Sequence, residues 1–292
     1  MRTALFAAIA LLPTAAFAAD ISVHKRARVE EPGAGWVVKE TAESWHAGQT
    51  AIIVCDMWDS HHCLNAVRRV VEVAPRMNEV LKNARDRGVL IVHAPSSCME
   101  PYKDHPGRKL AQSAPKAANL PADISEWCRH IPTEDKGVYP IDQTKGGEDD
   151  NLEEHKVWHE KLTALGRNPK SPWKSQVALL EIKDNDAISD NGVEIWNLLE
   201  VRGIKNVVLL GVHTNMCVLG RPFAIRQMVH VGKNVALVRD MTDTMYDPDK
   251  PPKVSHFAGT QLVIEHVEKF WCPSFTSTDI TGKPAFHFKD AR

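Results

Sequence analysis

Residues 51–56 read Ala-Ile-Ile-Val-Cys-Asp and residues 89–92 read Val-Leu-Ile-Val. Each run is short, continuous and apolar, as in a strand buried on both faces. Between them, Leu64 to Arg87 carries Val67, Val70, Val71, Met77, Val80, Leu81 and Ala84 at helical spacing, and Gly88 stops it. Strand, helix, strand in that order is a βαβ unit with parallel pairing. Pro75 inside the helical stretch predicts a kink or two shorter helices.

The same alternation returns in the second half. Val193 to Val201 predicts a helix closed by Gly203, and Val207 to Val212 another buried strand. A helix is expected from Asn215 to Val231, a strand over Val235–Val238 ending near Asp240, and a last helix from Val254 to Phe270. These elements predict an open, mostly parallel sheet with helices on both faces, a three-layer α/β/α, Rossmann-like single domain over 19–292. The rhythm breaks in a proline-rich insertion at about 95–175, after the second strand, where only Leu152–Leu165 reads as helix. Long irregular stretches inside a domain commonly serve as lids or binding loops, and this one is expected to pack over the sheet's edge. Residues 20–48 read as an extended surface leader.

The first residues belong to another category. Arg2, the apolar run Leu5–Leu12 and Ala16-Phe17-Ala18 have the order of a secretory signal, so 1–18 are expected to be cleaved and the protein exported, to a periplasm or beyond. No later stretch has the length of a membrane span. Export leaves Cys55, Cys63, Cys98, Cys128, Cys217 and Cys272 in an oxidising compartment, where their even number permits pairing of unspecified connectivity. With 36 Lys plus Arg against 37 Asp plus Glu and a formal net charge of −1, the chain lacks the basic field that nucleic-acid binding requires. The expected partner is a small molecule, with neither nucleic acid nor, after signal cleavage, membrane.

In parallel sheets ligands bind beyond the carboxyl ends of the strands. Those ends are Asp56, His93–Ser97, His213–Cys217 and Asp240. No Gly-x-Gly-x-x-Gly, phosphate loop, Gly-x-Ser-x-Gly or His-Glu-x-x-His occurs, which leaves dinucleotide, serine-hydrolase and zinc-protease chemistry unsupported. What remains is Cys217, in the first turn of a helix after Gly211-Val212-His213-Thr214-Asn215-Met216, with Thr214 or Asn215 available as N-cap. The helix dipole there lowers a thiol's pKa toward neutrality. Alternatively, Cys217 is a small buried hydrophobe.

The surroundings favour the nucleophile. Ile52-Ile53-Val54-Cys55-Asp56-Met57, then Ile182-Lys183 followed by Asp186-Ala187-Ile188-Ser189, then Gly211 to Cys217 before a helix, resemble the isochorismatase-like cysteine hydrolases. That family includes nicotinamidases and N-carbamoylsarcosine amidase, and the likeness spans about residues 50 to 270. It implies a triad of Asp56, Lys183 and Cys217, with Asp56 as base and Lys183 holding its carboxylate. It further implies an oxyanion hole from the backbone N–H groups of His213 and Cys217, with a cis peptide at Val212–His213. The implied activity is hydrolysis of a C–N bond in a small amide, imide or carbamoyl compound through a Cys thioester, with no cofactor required. A homo-oligomer is common in that family.

Departures from the pattern remain. Ile188 stands in place of an aromatic, and Lys174, after Pro172-Trp173, is a rival for the lysine. Trp58 and His61 are candidates for the substrate pocket. Asp59, His61, His62 and Cys63 together resemble a divalent-metal set, although the alternative is a polar pocket loop and no metal ligand is assigned. Trp127, Tyr139, Trp158 and Trp173 are available for an aromatic lid, while Glu148-Asp149-Asp150 and the pair His155/His159 read as solvated. The competing functions are vinyl-ether hydrolysis, which leaves Cys217 unexplained, and catalytically silent binding of a small molecule or metal on the same scaffold.

Overall fold

In the computed structural model, which describes residues 20–291, the chain runs β1 (Asp20–Glu31), β2 (Gly35–His46), β3 (Thr50–Cys55), α1 (Leu64–Asp86), β4 (Leu90–Ala94), α2 (Pro106–Gln112), α3 (Leu152–Ala164) and β5 (Ala187–Ile188). It continues through α4 (Gly192–Val201), β6 (Asn206–Val212), α5 (Cys217–Gly220), α6 (Ile225–His230), β7 (Asn234–Asp243), α7 (His256–Phe270), β8 (Ser274–Phe275) and α8 (Thr278–Thr281). The signal read at 1–18 lies outside the described residues. No described helix is long and apolar enough to cross a membrane.

These strands form one sheet in the order β2-β1-β8-β7-β6-β3-β4-β5. Every pairing from β8 to β5 is parallel, while β1 pairs antiparallel with both β8 and β2. Winding therefore reverses between β3 and β6, and a crevice opens at the carboxyl ends of those two strands. Alternation along β3 feeds two cores: Ala51, Ile53 and Cys55 pack on one face of the sheet, Ile52 and Val54 on the other. Both faces are covered, which is why β3, β4 and β6 read as unbroken apolar runs.

Three elements differ from the reading of the sequence. Residues 20–46 are not a leader but a hairpin of two long strands that extends the sheet. Most of β2 is exposed on both faces, so it carries no hydrophobic alternation by which to recognise it. The helix around Pro75 is continuous from Leu64 to Asp86. The carbonyl that Pro75 leaves without its partner belongs to Val71, whose side chain is 48% exposed, and on that face water can satisfy it. Finally, the helix expected over 215–231 breaks into α5 and α6 at Arg221-Pro222, because the residue before a proline is driven out of helical conformation.

The short edge strand β5 is held by a clamp. Asp186 accepts two hydrogen bonds from Arg85 of α1, each 2.8 Å, one from the backbone of Lys183 at 2.7 Å, and lies 3.3 Å from His93 Nε2 on β4. Burial alone would raise this carboxyl, but the His93 and Arg85 bonds bring it down to about 2. A carboxyl whose folded pKa lies below its unfolded value stabilises the fold above the unfolded value and loses that contribution as pH falls through the folded one. Asp186→Asn is therefore expected to cost about 2–3 kcal/mol near pH 7. In urea titrations the gap to wild type should close between about pH 4 and pH 2; a gap independent of pH would contradict the clamp.

Candidate active site

Asp56 is the first residue after β3 and is fully buried. Its backbone turns sharply, with φ of 46°, the left-handed region that Asp tolerates better than most residues. The turn is fixed by its own N–H donating to Ala94 O at 3.1 Å and its carbonyl accepting from Trp58 N at 2.8 Å. Its carboxylate accepts the Ser96 backbone N–H at 2.8 Å on one oxygen and Arg221 Nε at 3.0 Å on the other, with Arg221 Nη2 also at 3.0 Å. Burial raises Asp56 above its ordinary value, and the charge of Arg221 opposes this.

Cys217 opens α5 beside this carboxylate, close enough for the charge of Asp56 to act on its thiol. Glycine is required at 211 for β6 to pass so close: its φ is +107°, and a Cβ there would lie 2.1 Å from the Cys55 carbonyl oxygen. The Val212–His213 peptide is cis. Neither the His213 nor the Cys217 backbone N–H is spent on a turn, cap or side-chain hydrogen bond among the described residues, so both remain available to an oxyanion. The N-cap differs from expectation. Met216 occupies that position without a side-chain bond, Thr214 Oγ1 lies 2.6 Å from Thr242 Oγ1, and Asn215 is tied to the backbone of Met245. Nor is the thiol lowered. Burial and the adjacent Asp56 charge push it well above its ordinary value, with Arg221 only partly compensating. A one-turn helix supplies too little dipole to reverse that.

Arg221 takes the place in which the sequence suggested Lys183. Lys183 Nζ pairs with Glu181 at 2.7 Å on the surface, the two side chains 51% and 56% exposed. Its backbone N–H is committed to Asp186 and Asp186 N to its carbonyl, a turn that directs the side chain away from Asp56. Lys174 is exposed as well. Arg221 is extended, with φ −57° and ψ 157°, as the following proline demands, and that kink delivers the guanidinium to Asp56. Trp127 of the insertion covers it, ring centroid 4.6 Å from the guanidinium carbon. Gly220 allows this approach, since a Cβ there would meet the indole at 2.9 Å. The sequence signal for Arg221 was a cation one helical turn after Cys217 and directly before Pro222.

The mouth is roofed by aromatic rings. Trp58 stacks on Trp173 at 4.3 Å, His61 lies against both, and Trp158 Nε1 donates to His61 O at 2.9 Å. Tyr139 packs instead against His266 and Trp271. Beneath the roof lies a cavity of about 10 Å³, lined by Asp56, Trp58, Ser60, His61 and His213 among others, with room for about one water. Ser60 Oγ and His213 Nε2 are buried without partners. Burial lowers His213 to about 3 and His61 well below its ordinary value, so both rings are neutral near pH 7. His61 Nδ1 accepts the Cys63 N–H at 3.1 Å.

The set Asp59, His61, His62 and Cys63 does not converge on one point. Asp59 is bound by Arg167 at 2.8 Å and by the Lys174 and Ser175 N–H groups. Cys63 caps α1 and faces Asp149 and Asp150 instead. Those acids, read from sequence as solvated, are largely buried. Asp149 pairs with Arg69 at 2.7 Å, and Asp150 accepts the Leu64 and Asn65 N–H groups, each at 2.7 Å. His155 is likewise drawn inward, to 3.1 Å from Asp150, its ring 4.0 Å from that of His159. Although Cys63, Asp149 and Asp150 lie close enough to share a cation, their oxygens are engaged by Arg69 and the start of α1. All six cysteines are free, so the pairing that their even number allowed is not formed.

No family model matches the sequence, and no curated protein matches it. Solved structures similar in fold include a cysteine hydrolase from Pseudomonas syringae pv. phaseolicola 1448A, 17% identical, covering 82% of this chain and 93% of that one with a TM-score of 0.48. The N-carbamoylsarcosine amidase of Thermoplasma acidophilum is 12% identical over 78% and 96%, at 0.42. The nicotinamidase of Staphylococcus aureus is 11% identical over 75% and 92%, at 0.34. These are likenesses of chain course; the reading of the site rests on its own residues.

Two measurements check the arrangement. Alkylation of Cys217 by iodoacetamide, followed by peptide mass spectrometry, should be slow near pH 7 and rise only toward strongly alkaline pH. A fast plateau at low pH would mean a resting thiolate. Arg221→Gln leaves Asp56 buried without its cation and is expected to cost about 3–5 kcal/mol in denaturant unfolding, whereas Lys183→Ala should change neither stability nor labelling.

Proposed function

We propose that this chain is an exported cysteine hydrolase that cleaves a C–N bond of a small amide, imide or carbamoyl compound. The observation that carries the reading is the Cys217 thiol set beside a buried Asp56 that Arg221 holds, at the crevice where the winding of the sheet reverses. A carboxylate beside a thiol is placed to act as its base. As Cys217 Sγ attacks the carbonyl carbon, its proton passes to Asp56 and a C–S bond forms. The carbonyl oxygen becomes an oxyanion, which the N–H groups of His213 and Cys217 receive, each such donor contributing about 3 kcal/mol in comparable sites. Asp56 returns the proton to the departing nitrogen, the C–N bond breaks, and a thioester remains. Asp56 then takes a proton from water, the hydroxyl adds to the thioester, and the carboxylic acid leaves as Cys217 is reprotonated.

The cavity beside Asp56 is too small to hold a substrate as it stands; neutral His61 and His213 favour an uncharged one, with Ser60 Oγ and His213 Nε2 left to hydrogen-bond it. Because the roof closes over that cavity, opening of Trp58 and Trp173 belongs to the catalytic cycle. A panel of small primary amides, cyclic imides and N-carbamoyl compounds, assayed for ammonia or amine release, tests the proposal. Turnover should vanish in Cys217→Ala and Asp56→Asn, and an acyl adduct on Cys217 should appear in rapidly quenched wild type. Release that survives Cys217→Ala would refute the thioester route. The secretory reading of the first 18 residues predicts a mature chain beginning at Ala19 in the exported fraction, read by N-terminal sequencing; an uncleaved cytoplasmic chain would refute it.

A further inference from the structure

A second cavity, of about 380 Å³, lies between β1, β7, α7 and the tail that follows α8, and none of its lining residues belongs to the catalytic site. Its floor is one stripe of α7, residues 257, 260, 261 and 264, positions that share a helix face and here turn toward an opening. The tail is held over it by Asp240, whose carboxylate accepts Ser277 N at 2.7 Å, Ser277 Oγ at 2.6 Å and Phe286 N at 2.9 Å. Phe257 and Phe288 stack with centroids 5.2 Å apart, and Phe286 meets Phe288 edge-on at 5.1 Å, giving one wall of aromatic rings.

Two guanidinium groups line the same cavity. Arg239 has no carboxylate within salt-bridge distance among the described residues, and its one hydrogen bond is to Ser274 Oγ at 3.3 Å. Burial, together with the charge of Arg26, lowers it from its ordinary value. Arg26 spends Nε on Glu268 at 2.8 Å, but its Nη2 is buried without a partner, as is Thr260 Oγ1. Buried donors are ordinarily satisfied, and planar guanidinium forks match a carboxylate. A mostly apolar pocket of this size with a few convergent polar groups is the usual form of a small-molecule site.

We propose that this pocket binds a small aryl carboxylate, with Arg239 and Arg26 holding the carboxylate and Phe257, Phe286 and Phe288 receiving the ring. The site is separate from the catalytic one and does not depend on the hydrolase reading. Calorimetric titration of the mature protein with phenylacetate tests it, with 2-phenylethanol as the uncharged counterpart. Saturable binding of phenylacetate alone is expected. The dissociation constant should rise at least tenfold in Arg239→Gln, and also in Gln261→Glu, which places a carboxylate from an exposed helix position beside the arginines. Alkylation of Cys217 should leave binding unchanged. Three outcomes would each overturn the proposal: no binding to wild type, equal binding of the alcohol, or binding that both variants retain. Loss of binding on Cys217 alkylation would do the same by moving the ligand to the catalytic site.

Discussion

The ion pair between Asp56 and Arg221 is the constraint around which the crevice is arranged. A fully buried carboxylate is costly unless a cation and hydrogen-bond donors meet it, and here both oxygens are met, by Ser96 N on one side and Arg221 on the other. Meeting that need requires three distant segments in register. The left-handed turn after β3 aims the carboxylate, the loop after β4 brings Ser96, and the break at Pro222 turns Arg221 back from α5. Trp127 then shields the guanidinium, so the insertion is part of the site and not an appendage.

The insertion is anchored at a second point by charges that pass from one element to the next. Arg69 of α1 joins Asp149 of the insertion to Asp243 at the end of β7, each at 2.7 Å. His256, opening α7, lies 2.9 Å from Asp243 and 3.3 Å from Asp149. Burial would raise Asp243, but the charge of Arg69 and the His256 bond hold it well below the usual carboxylate range. Asp150 meanwhile occupies the N-terminus of α1, where unpaired N–H groups and the helix dipole favour an anion. The insertion beside the Asp56 cavity is therefore hung on α1 and β7.

How much of this was legible in the sequence follows from how local each signal is. The strands at 51–55 and 207–212 were, because a strand covered on both faces must be apolar throughout. The hairpin at 20–46 was not: β2 is mostly exposed and shows no period, and in β1 the buried alternation is limited to Ile21 and Val23. Asp56 and Cys217 were readable as residues at strand ends. The cation was not, since its role is fixed in space: Lys183 matched by order along the chain, yet its turn faces water, while Arg221 arrives through a proline that a search for helical periodicity reads past. Likewise Glu148-Asp149-Asp150 has the composition of a solvated loop, and only Arg69, eighty residues before Asp149, makes part of it buried.

The protonation state of the resting site follows from its charge count. Arg221 contributes one positive charge and Asp56 one negative, so the trio with a neutral Cys217 thiol carries none. Ionising that thiol without moving the proton would place a second anion beside Asp56 in a buried space, and both burial and Asp56 oppose it. In the proposed reaction a proton transferred to Asp56 as sulfur attacks avoids this, because the carboxylate loses its charge while the carbonyl oxygen gains one. The total is conserved, and charge moves only from Asp56 to the oxyanion between two preorganised N–H groups. On this argument the site selects for a carbonyl able to receive that charge, and an electrophile that cannot relay it gains little from Asp56. In the proposed reaction a cysteine with a lowered pKa would lack that selectivity, so burial of the thiol, unfavourable to its resting reactivity, would restrict it to substrates that complete the transfer.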